Sequence, residues 1–528
     1  MSTHTAVPRG GATPDKASAT VVDDVEKEWY FGTQNRWYLA VRFAAFAGLI
    51  VSLLRFTNSD PRISALLVVI LPLACVSLIS LYTSTRRRRM TLDEHRETVL
   101  AWLARQDGSE PSVDVFLPTA GEPLTVLANT YRRVAAMRYS RPAAVYVLDD
   151  GARSEVAALA EKHGFRYLSR PDRGRMKKAG NLAFGYSQSS GDVIAVFDAD
   201  FAPREDYLQE LMPYLDNGAV GIVQSPQHFQ THGLTSWLER AAGATQELFY
   251  RWVQPSRDAL GAPICVGTCA LYRRSALRDA GGFAQIAHSE DVHTGVKIMG
   301  AGYAVRYVPM ILAKGLCPGT LAAFISQQYR WCAGSMTLMI DRDFHAMKLT
   351  LKQRLCFWSG FGYYITTALT AFAVLIPPVF LLWVAPRAIH PSNYLWLVPL
   401  ILVYPLIMVM HRGNWRLSVL RLQLIYSYAH AVAIWDTYRG RTAEWVATGT
   451  VARTPLSVKV IRLMVVWIVL TQTALWAGVG RVLWNGLVPV GDLWPLICLA
   501  VFAAYIELPI VAQGVKGVGV SLLPAGAR

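Results

Sequence analysis

Acidic and hydroxyl residues stand directly after three short apolar runs of this sequence: Thr119 and Glu122, Asp149 and Asp150, and Asp198 and Asp200. Two carboxylates spaced as in the last pair suit Mg²⁺ or Mn²⁺, because these ions prefer hard oxygen ligands. A metal held there could neutralise a diphosphate. Each pair taken alone is also compatible with a turn, since Asp and Gly initiate turns.

A basic loop lies between the second and third of these pairs. It runs from Arg170 to Asn181 and includes Lys178. Its guanidinium and ammonium groups could hold phosphate oxygens if the acidic strand ends lie on either side. The alternative is a solvated run of charges.

Two further groups of residues suggest a reactive centre downstream. Glu290 and Asp291 follow Ser289, which could cap a helix, and one of these carboxylates could take a proton from an attacking hydroxyl. If the later segment is helical, Gln327, Arg330 and Trp331 fall at i, i+3 and i+4 and share one face. That face suits a ligand, or the anchoring of a helix at a membrane surface.

The elements that would position these residues are short strands alternating with helices. The apolar runs predict four strands, Val113–Pro118, Ala144–Leu148, Val193–Phe197 and Val220–Val223, and two helices, Leu124–Arg138 and Ser154–His163. This order indicates an α/β domain with a largely parallel sheet. Because ligands bind beyond the carboxyl ends of such strands, the acidic residues are expected to converge on one edge.

Composition places this domain beside a membrane. The 528 residues are 53% apolar, and six apolar runs reach the roughly 20 residues that a spanning helix needs: 37–56, 63–83, 357–384, 393–410, 461–481 and 493–513. Basic residues flank the soluble segment on both sides, with Arg86–Arg89 before it, which predicts a cytoplasmic domain. An even number of spans in the plasma (inner) membrane then leaves both termini cytoplasmic.

These expectations divide the chain into seven parts. They are a cytoplasmic, disordered tail (1–36), two spans (37–84), the cytoplasmic α/β domain with an interfacial helix (92–345), two spans (355–410), a cytoplasmic amphipathic surface element with a candidate gating loop near Glu444–Gly449 (411–458), two spans (459–513) and a cytoplasmic tail (514–528). Glu507, inside the last apolar run, could line a polar cavity or pair internally.

Several classes of protein are disfavoured. The net charge is +15, and the densest basic run, Arg86–Arg89, stands where a cytoplasmic stop signal belongs, so nucleic acid is not expected as a partner. The seven cysteines form no CxxC pair and have no histidine at zinc spacing.

Taken in this order, the acidic strand ends, Glu290–Asp291 and the motif Gln327-x-x-Arg330-Trp331 resemble the family 2 inverting glycosyltransferases, in particular the processive membrane synthases of the cellulose synthase type. The resemblance covers the flanking spans as well as the central domain. It implies a multi-pass α-helical membrane protein with a cytoplasmic α/β domain of GT-A type. The implied ligands are a nucleotide sugar, which the family prior gives as UDP-glucose, a divalent metal and a growing polysaccharide. The implied surroundings of the spans are a lipid bilayer.

The resemblance also implies residue roles. On the donor side, Thr119 and Asp149, with Glu122 and Asp150 beside them, would contact the nucleotide, and Lys178 and Asn181 the nucleotide or its diphosphate. Asp198 and Asp200 would bracket the metal and donor sugar, and Arg330 would hold the diphosphate. On the acceptor side, Asp291 would be the general base with Glu290 next to it, Trp331 would stack on the acceptor with Gln327 nearby, and Val266, Gly267 and Thr268 would form the acceptor loop.

Some features depart from that family. Ala120 and Gly121 replace a Tyr-Asn pair often found after the threonine, and no Phe-x-Val-Thr-x-Lys gating element occurs. The expected product is a β-glucan. The alternatives are a chitin-, hyaluronan- or mannan-type polymer from another nucleotide sugar, a single transfer to a lipid-linked acceptor, or a transporter with a nucleotide-binding domain. Envelope or regulatory partners would be separate chains.

Overall fold

The computed structural model describes residues 19–31, 36–86, 90–231, 236–410, 415–441 and 454–518. Its strands within these ranges are β1 Val113–Thr119, β2 Ala144–Asp149, β3 Arg166–Leu168, β4 Val193–Val196, β5 Phe201–Pro203, β6 Val220–Gln224, β7 His228–Phe229, β8 Ala270–Arg273, β9 Ala304–Tyr307 and β10 Ala313–Gly315. All four predicted strands are confirmed, each to within a residue at its ends.

The α-helices before the last soluble segment are α1 Asp24–Lys27, α2 Arg36–Ser59, α3 Leu67–Ser84, α4 Leu92–Leu103, α5 Leu124–Ala135, α6 Ser154–Lys162, α7 Lys177–Ser187, α8 Tyr207–Leu211, α9 Trp237–Leu248, α10 Gln254–Ala259, α11 Arg274–Asp279 and α12 Glu290–Gly300. They are followed by α13 Leu321–Ile340, α14 Arg342–Ala346, α15 Leu351–Ala373, α16 Ile376–Trp383, α17 Pro391–Tyr394, α18 Val398–Met410, α19 Ser418–Tyr438, α20 Pro455–Trp484 and α21 Trp494–Val518.

The central sheet has the strand order β3-β2-β1-β4-β8-β6-β9. Its β1, β2, β3 and β4 pair in parallel, whereas β8 lies antiparallel between β4 and β6. Strand β1 is buried at every position, as expected for a strand covered on both faces. Thr119 pairs with Asp149 across β1 and β2, so the predicted convergence of the strand ends is confirmed.

Six helical segments in the described residues are long and apolar enough to cross a membrane: Ala40–Ser59, Pro61–Ser84, Leu351–Trp383, Pro391–Met410, Pro455–Trp484 and Trp494–Gly514. They coincide with the six apolar runs of the sequence. Within them, the amide of Gln472 donates to the Glu507 carboxylate at 2.8 Å. Glu507 therefore pairs internally, which is one of the two alternatives that the sequence left open.

The expectation of a disordered tail is wrong for residues 19–31. Helix α1 begins with a capping box between Asp23 and Glu26, and Lys27 binds Asp206 at 2.7 Å and also Glu210. We name residues 19–31 the N-terminal strap. The strap is ordered because its charges meet charges of the α/β domain, which lie far away in the sequence.

The expectation of an amphipathic surface element after residue 411 is also wrong for α19. This helix buries residues on all sides, among them Val419, Tyr428 and His430, and packs along α13 and α15. Helix α19 is therefore a central element between the α/β domain and the candidate spans. The candidate gating loop Glu444–Gly449 lies outside the described residues.

Candidate active site

The loop after β1 is held by one network of polar contacts. Arg153 donates to the Thr119 hydroxyl at 3.0 Å and to the Glu122 carbonyl at 2.7 Å. The Thr119 hydroxyl donates to the Glu122 carboxylate at 2.5 Å, and the same carboxylate oxygen accepts from the backbone of Ala120 and Gly121. Thr119 and Glu122 thus form a rigid edge beside the end of β2.

Asp149 is fully buried at the end of β2. Its carboxylate accepts from the backbone of Gly151 at 2.9 Å and of Arg153 at 2.8 Å, and from the Tyr167 hydroxyl at 3.1 Å. A carboxylate with three such donors fixes the shape of the turn. Asp149 therefore orders the loop that a nucleotide would meet.

Asp150 and Arg170 form a bidentate ion pair. The guanidinium of Arg170 lies 2.5 and 2.7 Å from the two carboxylate oxygens and is 2% exposed. A Cβ at Gly180 would come within 2.3 Å of this guanidinium, so glycine is required there. Arg170 thus ties the basic loop to the strand end and is not available to hold phosphate.

Lys178 lies at the centre of the site. Its ammonium contacts Asp198, donates to the Gly267 carbonyl at 2.9 Å and lies 3.8 Å from the Glu290 carboxylate. Burial lowers the pKa of Lys178, but the attraction of Asp198 and Glu290 outweighs it and leaves the pKa above its ordinary value. Lys178 is therefore a permanent positive charge between the predicted donor and acceptor residues.

Asn181 is buried behind this lysine. Its amide donates to the Leu148 carbonyl at 2.6 Å, and its Oδ1 has no hydrogen-bond partner among the described residues. The side chain supports the end of β2, and its oxygen is the atom that remains for a ligand.

The pair Asp198 and Asp200 has the electrostatics of a cation site. Burial, and then repulsion by Asp198 and Glu122, raise the pKa of Asp200 to about 7. A raised carboxyl pKa means that negative charge is crowded there, and a divalent cation would relieve that crowding. The described residues contain no group of three or more His, Cys, Asp or Glu side chains that could hold a metal ion, so any ion would draw further ligands from its substrate or from water.

Asp291 lies against the loop that contains Gly267. A Cβ on Gly267 would come within 2.7 Å of the Asp291 carboxylate, and Gly267 has a φ of +72° that also favours glycine. Burial, and then repulsion by Glu290, raise the pKa of Asp291 to about 7. A carboxylate with that pKa is suited to accept a proton near neutral pH.

Ser289 does not cap α12, contrary to the expectation. It has a left-handed backbone, with φ of +54°, and its hydroxyl donates to the Arg330 carbonyl at 3.4 Å. A Cβ at Gly334 would come within 2.2 Å of that hydroxyl. The start of α12 is thus fixed by close contact with α13, and this contact positions Glu290 and Asp291.

Helix α13 presents its predicted residues to two different places. Burial lowers the pKa of Arg330 to about 10, against the attraction of Glu290 and Asp198, which places its guanidinium near the donor residues. Trp331 and Gln328 instead line a cavity together with Asp291. Gln327 is half-buried and is not among the residues that line this cavity.

The loop from Ile264 to Thr268 is held by glutamine side chains. Gln224 and Gln254 both donate to the Ile264 carbonyl, and Gln227 donates to the Val266 carbonyl at 2.7 Å. Thr268 is fully buried, and its hydroxyl accepts from the Asp198 backbone at 2.8 Å. The predicted acceptor loop therefore also supports Asp198, a contact that the sequence did not reveal.

The cavity beside Asp291 has a volume of about 340 Å³ and reaches three candidate spans, Ala40–Ser59, Pro61–Ser84 and Leu351–Trp383. Its walls include Ser80 and Ser84 of α3, Thr245, Gln246, Phe249, Tyr250 and Trp252 near α9, Ser335 of α13, Ser359, Gly360, Tyr363 and Tyr364 of α15, and Gln423 and Tyr426 of α19. A π-helical turn, Phe249–Val253, presents the aromatic residues near α9. Hydroxyl, amide and aromatic groups are the mixture that binds the polar edges and apolar faces of sugars.

Sequence reasoning missed two arginines at this site. Arg153 connects the β1 and β2 loops, and the buried Arg257 lines the cavity. Neither stands in a motif. Arg153 could have been identified from its position, because it stands four residues after Asp149 at the start of a predicted helix. Nothing in the sequence marked Arg257.

The mixed sheet and the carboxylates at the ends of β1, β2 and β4 define a GT-A-like glycosyltransferase fold. Residues 193–411 match the family described as Glycosyl transferase family group 2.

The chain is similar to bacterial cellulose synthases. It is 33% identical over 281 residues to the UDP-forming cellulose synthase 1 catalytic subunit of Komagataeibacter xylinus, a match over 52% of this chain and 36% of that protein. It is 34% identical over 262 residues to the UDP-forming cellulose synthase catalytic subunit of Xanthomonas axonopodis pv. citri (strain 306), over 47% of this chain and 35% of that protein. The match thus spans about a third of the length of these relatives.

Among solved structures, a mannosyltransferase of Pyrobaculum calidifontis, in complex with GDP-Man and Mn²⁺, overlaps 68% of this chain and 99% of its own. The TM-score is 0.45 and the sequence identity 16%, too low to carry an argument about substrate.

Proposed function

We propose that this protein is a processive inverting glycosyltransferase that extends a β-linked polysaccharide, most simply a β-glucan from UDP-glucose, and passes it through the membrane. One observation carries the proposal: Asp291 lies between the charged donor residues around Lys178 and a cavity that leads from Trp331 to the candidate spans. The similarity to UDP-forming cellulose synthase subunits supports the choice of donor and product.

In the reaction, the acceptor hydroxyl attacks the anomeric carbon from the face opposite the nucleotide. Asp291 takes the hydroxyl proton, the new C–O bond forms, and the bond to the diphosphate oxygen breaks, so UDP leaves with the electron pair. A single displacement converts an α-linked donor to a β-linked product.

Cationic side chains would stabilise the leaving group. Lys178 and Arg330 both lie close to Asp198 and Glu290, where negative charge would develop on the diphosphate. Asp198 and Asp200 would hold Mg²⁺ or Mn²⁺, which when bound supplies positive charge to the diphosphate.

The cavity would hold the acceptor end of the polymer. Trp331 would stack on the terminal sugar, and the walls from α3 and α15 would lead the chain between the candidate spans. The catalytic domain and both termini would then share the cytoplasmic side of the inner membrane, because six spans return the chain to the side where it started.

The test is the incorporation of label from UDP-glucose by membranes that contain the protein, with Mg²⁺ or Mn²⁺. High-molecular-weight product digested by a β-glucanase is expected, and Asp291→Asn should abolish it while donor binding persists. The matched substitution of an exposed aspartate, Asp93→Asn, should retain activity. Lack of turnover with every nucleotide sugar tried, or product of a single added sugar, would contradict the proposal.

A further inference from the structure

Arg257 is a buried cation in the wall of the cavity. It belongs to α10, is 2% exposed and forms no salt bridge within the described chain. Its Nε and Nη1 have no hydrogen-bond partner among the described residues. Removing a guanidinium from water without compensating contacts is costly, so such a group requires an explanation.

The position of this guanidinium is set by helix α15. A Cβ built on Gly360 would lie 3.3 Å from Nη2 and 3.8 Å from Nη1 of Arg257. The guanidinium therefore lies against the one position of that wall that has no side chain. Burial lowers the pKa of Arg257, which agrees with a charge that lacks a counter-charge.

Asp291 is the carboxylate among the described residues that line the cavity with Arg257. Asp291 is the proposed base, so its charge is neutralised during each transfer. A negative charge in the contents of the cavity would then compensate Arg257.

An arginine at position 257 is informative because other hydrogen-bond donors that line the same cavity are neutral amides. Gln246, Gln328 and Gln423 line it and can donate to neutral hydroxyls without introducing a charge. A guanidinium cannot be neutralised in a protein, and its paired N–H groups match the two oxygens of a carboxylate or phosphate. Arginine is therefore the expected residue for an oxyanion.

We infer that Arg257 forms a subsite for an oxyanion carried by the acceptor. The inference rests on the proposed function in one respect, that the cavity holds the acceptor, and it departs from the neutral β-glucan of that proposal by giving the acceptor an acidic group. The oxyanion could be the carboxylate of an acidic sugar in the polymer or the phosphate of a lipid-linked acceptor. Each of these groups offers two oxygen atoms that can accept hydrogen bonds from the guanidinium.

The test measures binding to the full chain in nanodiscs. The probes are a short β-linked oligosaccharide of uronic acid units, the neutral glucose oligosaccharide of the same length and linkage, and an isoprenoid phosphate incorporated in the nanodisc. Wild-type protein should bind one of the two anionic probes at least about tenfold more tightly than the neutral one. The probe that gains affinity identifies the source of the oxyanion.

Variants should show that this preference depends on Arg257. Arg257→Gln should abolish it, Arg257→Lys should retain part of it, and the exposed control Arg105→Gln should leave it unchanged. If Arg257→Gln does not fold, Gly360→Ala, which pushes on the guanidinium, should still weaken the preference. Equal binding of all three probes by wild type, or a preference that survives Arg257→Gln, would overturn the inference and leave Arg257 as a cation hydrated by cavity water.

Release of UDP from UDP-glucose is measured in parallel, because it separates the two proposals. Turnover without an anion preference overturns the oxyanion subsite alone. An Arg257-dependent anion preference without turnover of any nucleotide sugar overturns the proposed reaction alone.

Discussion

At the scale of single residues, the site is defined by how its charges are compensated. Asp149, Asp150 and Arg170 are fully used within the protein, whereas Asp200 and Asp291 are carboxylates with raised pKa values. The first three residues hold the loops of the candidate site in place. Asp200 and Asp291 remain available to bind a cation or to accept a proton. This distinction agrees with the general finding that perturbed pKa values mark functional residues.

The raised pKa of Asp291 predicts a pH dependence. Only the deprotonated carboxylate can accept a proton, and burial next to Glu290 raises the pKa of Asp291 to about 7, so kcat/KM should rise with pH and be half-maximal near that pH. The measurement is UDP release as a function of pH. A rate that stays constant from about pH 5 to about pH 8 would show that another group is the base.

At the scale of elements, close backbone contacts set the geometry. Gly334 allows the start of α12 to touch α13, and Gly267 allows the acceptor loop to touch Asp291. The strap and α19 also fix the geometry through contacts, but between larger parts of the molecule. Each of them holds the α/β domain against another part of the chain.

Gly334→Ala is expected to displace the start of α12. The added methyl group would collide with the Ser289 side chain and approach the His288 carbonyl at 3.0 Å. We expect a loss of about 1–3 kcal/mol in stability and of at least about tenfold in kcat, because Asp291 moves with the helix. Thermal unfolding and UDP release measure the two effects.

Two controls accompany that substitution. Ser289→Gly in the same chain should recover part of the loss, since it removes the colliding atoms. Gly480→Ala on α20, where a Cβ would meet nothing within 4 Å, should change neither property. Equal effects of the two alanine substitutions would refute the close-contact explanation.

The strap is expected to contribute to stability through Lys27. Lys27→Met removes the charge that partners two mostly buried carboxylates, Asp206 and Glu210, and should lower the free energy of unfolding by about 1–3 kcal/mol. Arg204 and His95 remain as partners, so unfolding of the whole domain is not expected. The exposed pair of Arg105 with Asp216 provides the control: Arg105→Met should cost less than about 1 kcal/mol.

At the scale of the whole molecule, the cavity extends from Asp291 in the candidate active site to the candidate spans. Helix α13 carries Arg330 on the donor side and Trp331 on the cavity side, and it packs along the buried α19. The Tyr329 hydroxyl also donates to Asp436 of α19, which binds Lys459 of α20 at 2.7 Å. A continuous set of packed helices thus links the candidate active site to the candidate spans.

Blocking the cavity should separate transfer from elongation. Ser335→Trp, one turn beyond Trp331 on α13, would fill the cavity next to the acceptor position. UDP release and short products should persist while high-molecular-weight product is lost. Ile340→Trp, at an exposed position on the same helix, is the control, and long product from the Ser335→Trp chain would show that the polymer leaves by another route.

The sequence alone determined the features that depend on neighbouring residues. Apolar runs predicted the four strands and the six spanning segments, and the order of short motifs indicated a glycosyltransferase domain. Only the tertiary structure decided which charges are compensated, that α19 is central, that the strap is ordered, and that Arg257 is buried in a cavity wall. The physical reason is that these properties depend on contacts between residues far apart in the chain, such as Lys27 with Asp206 or Arg257 with Gly360, and no local pattern records such distances.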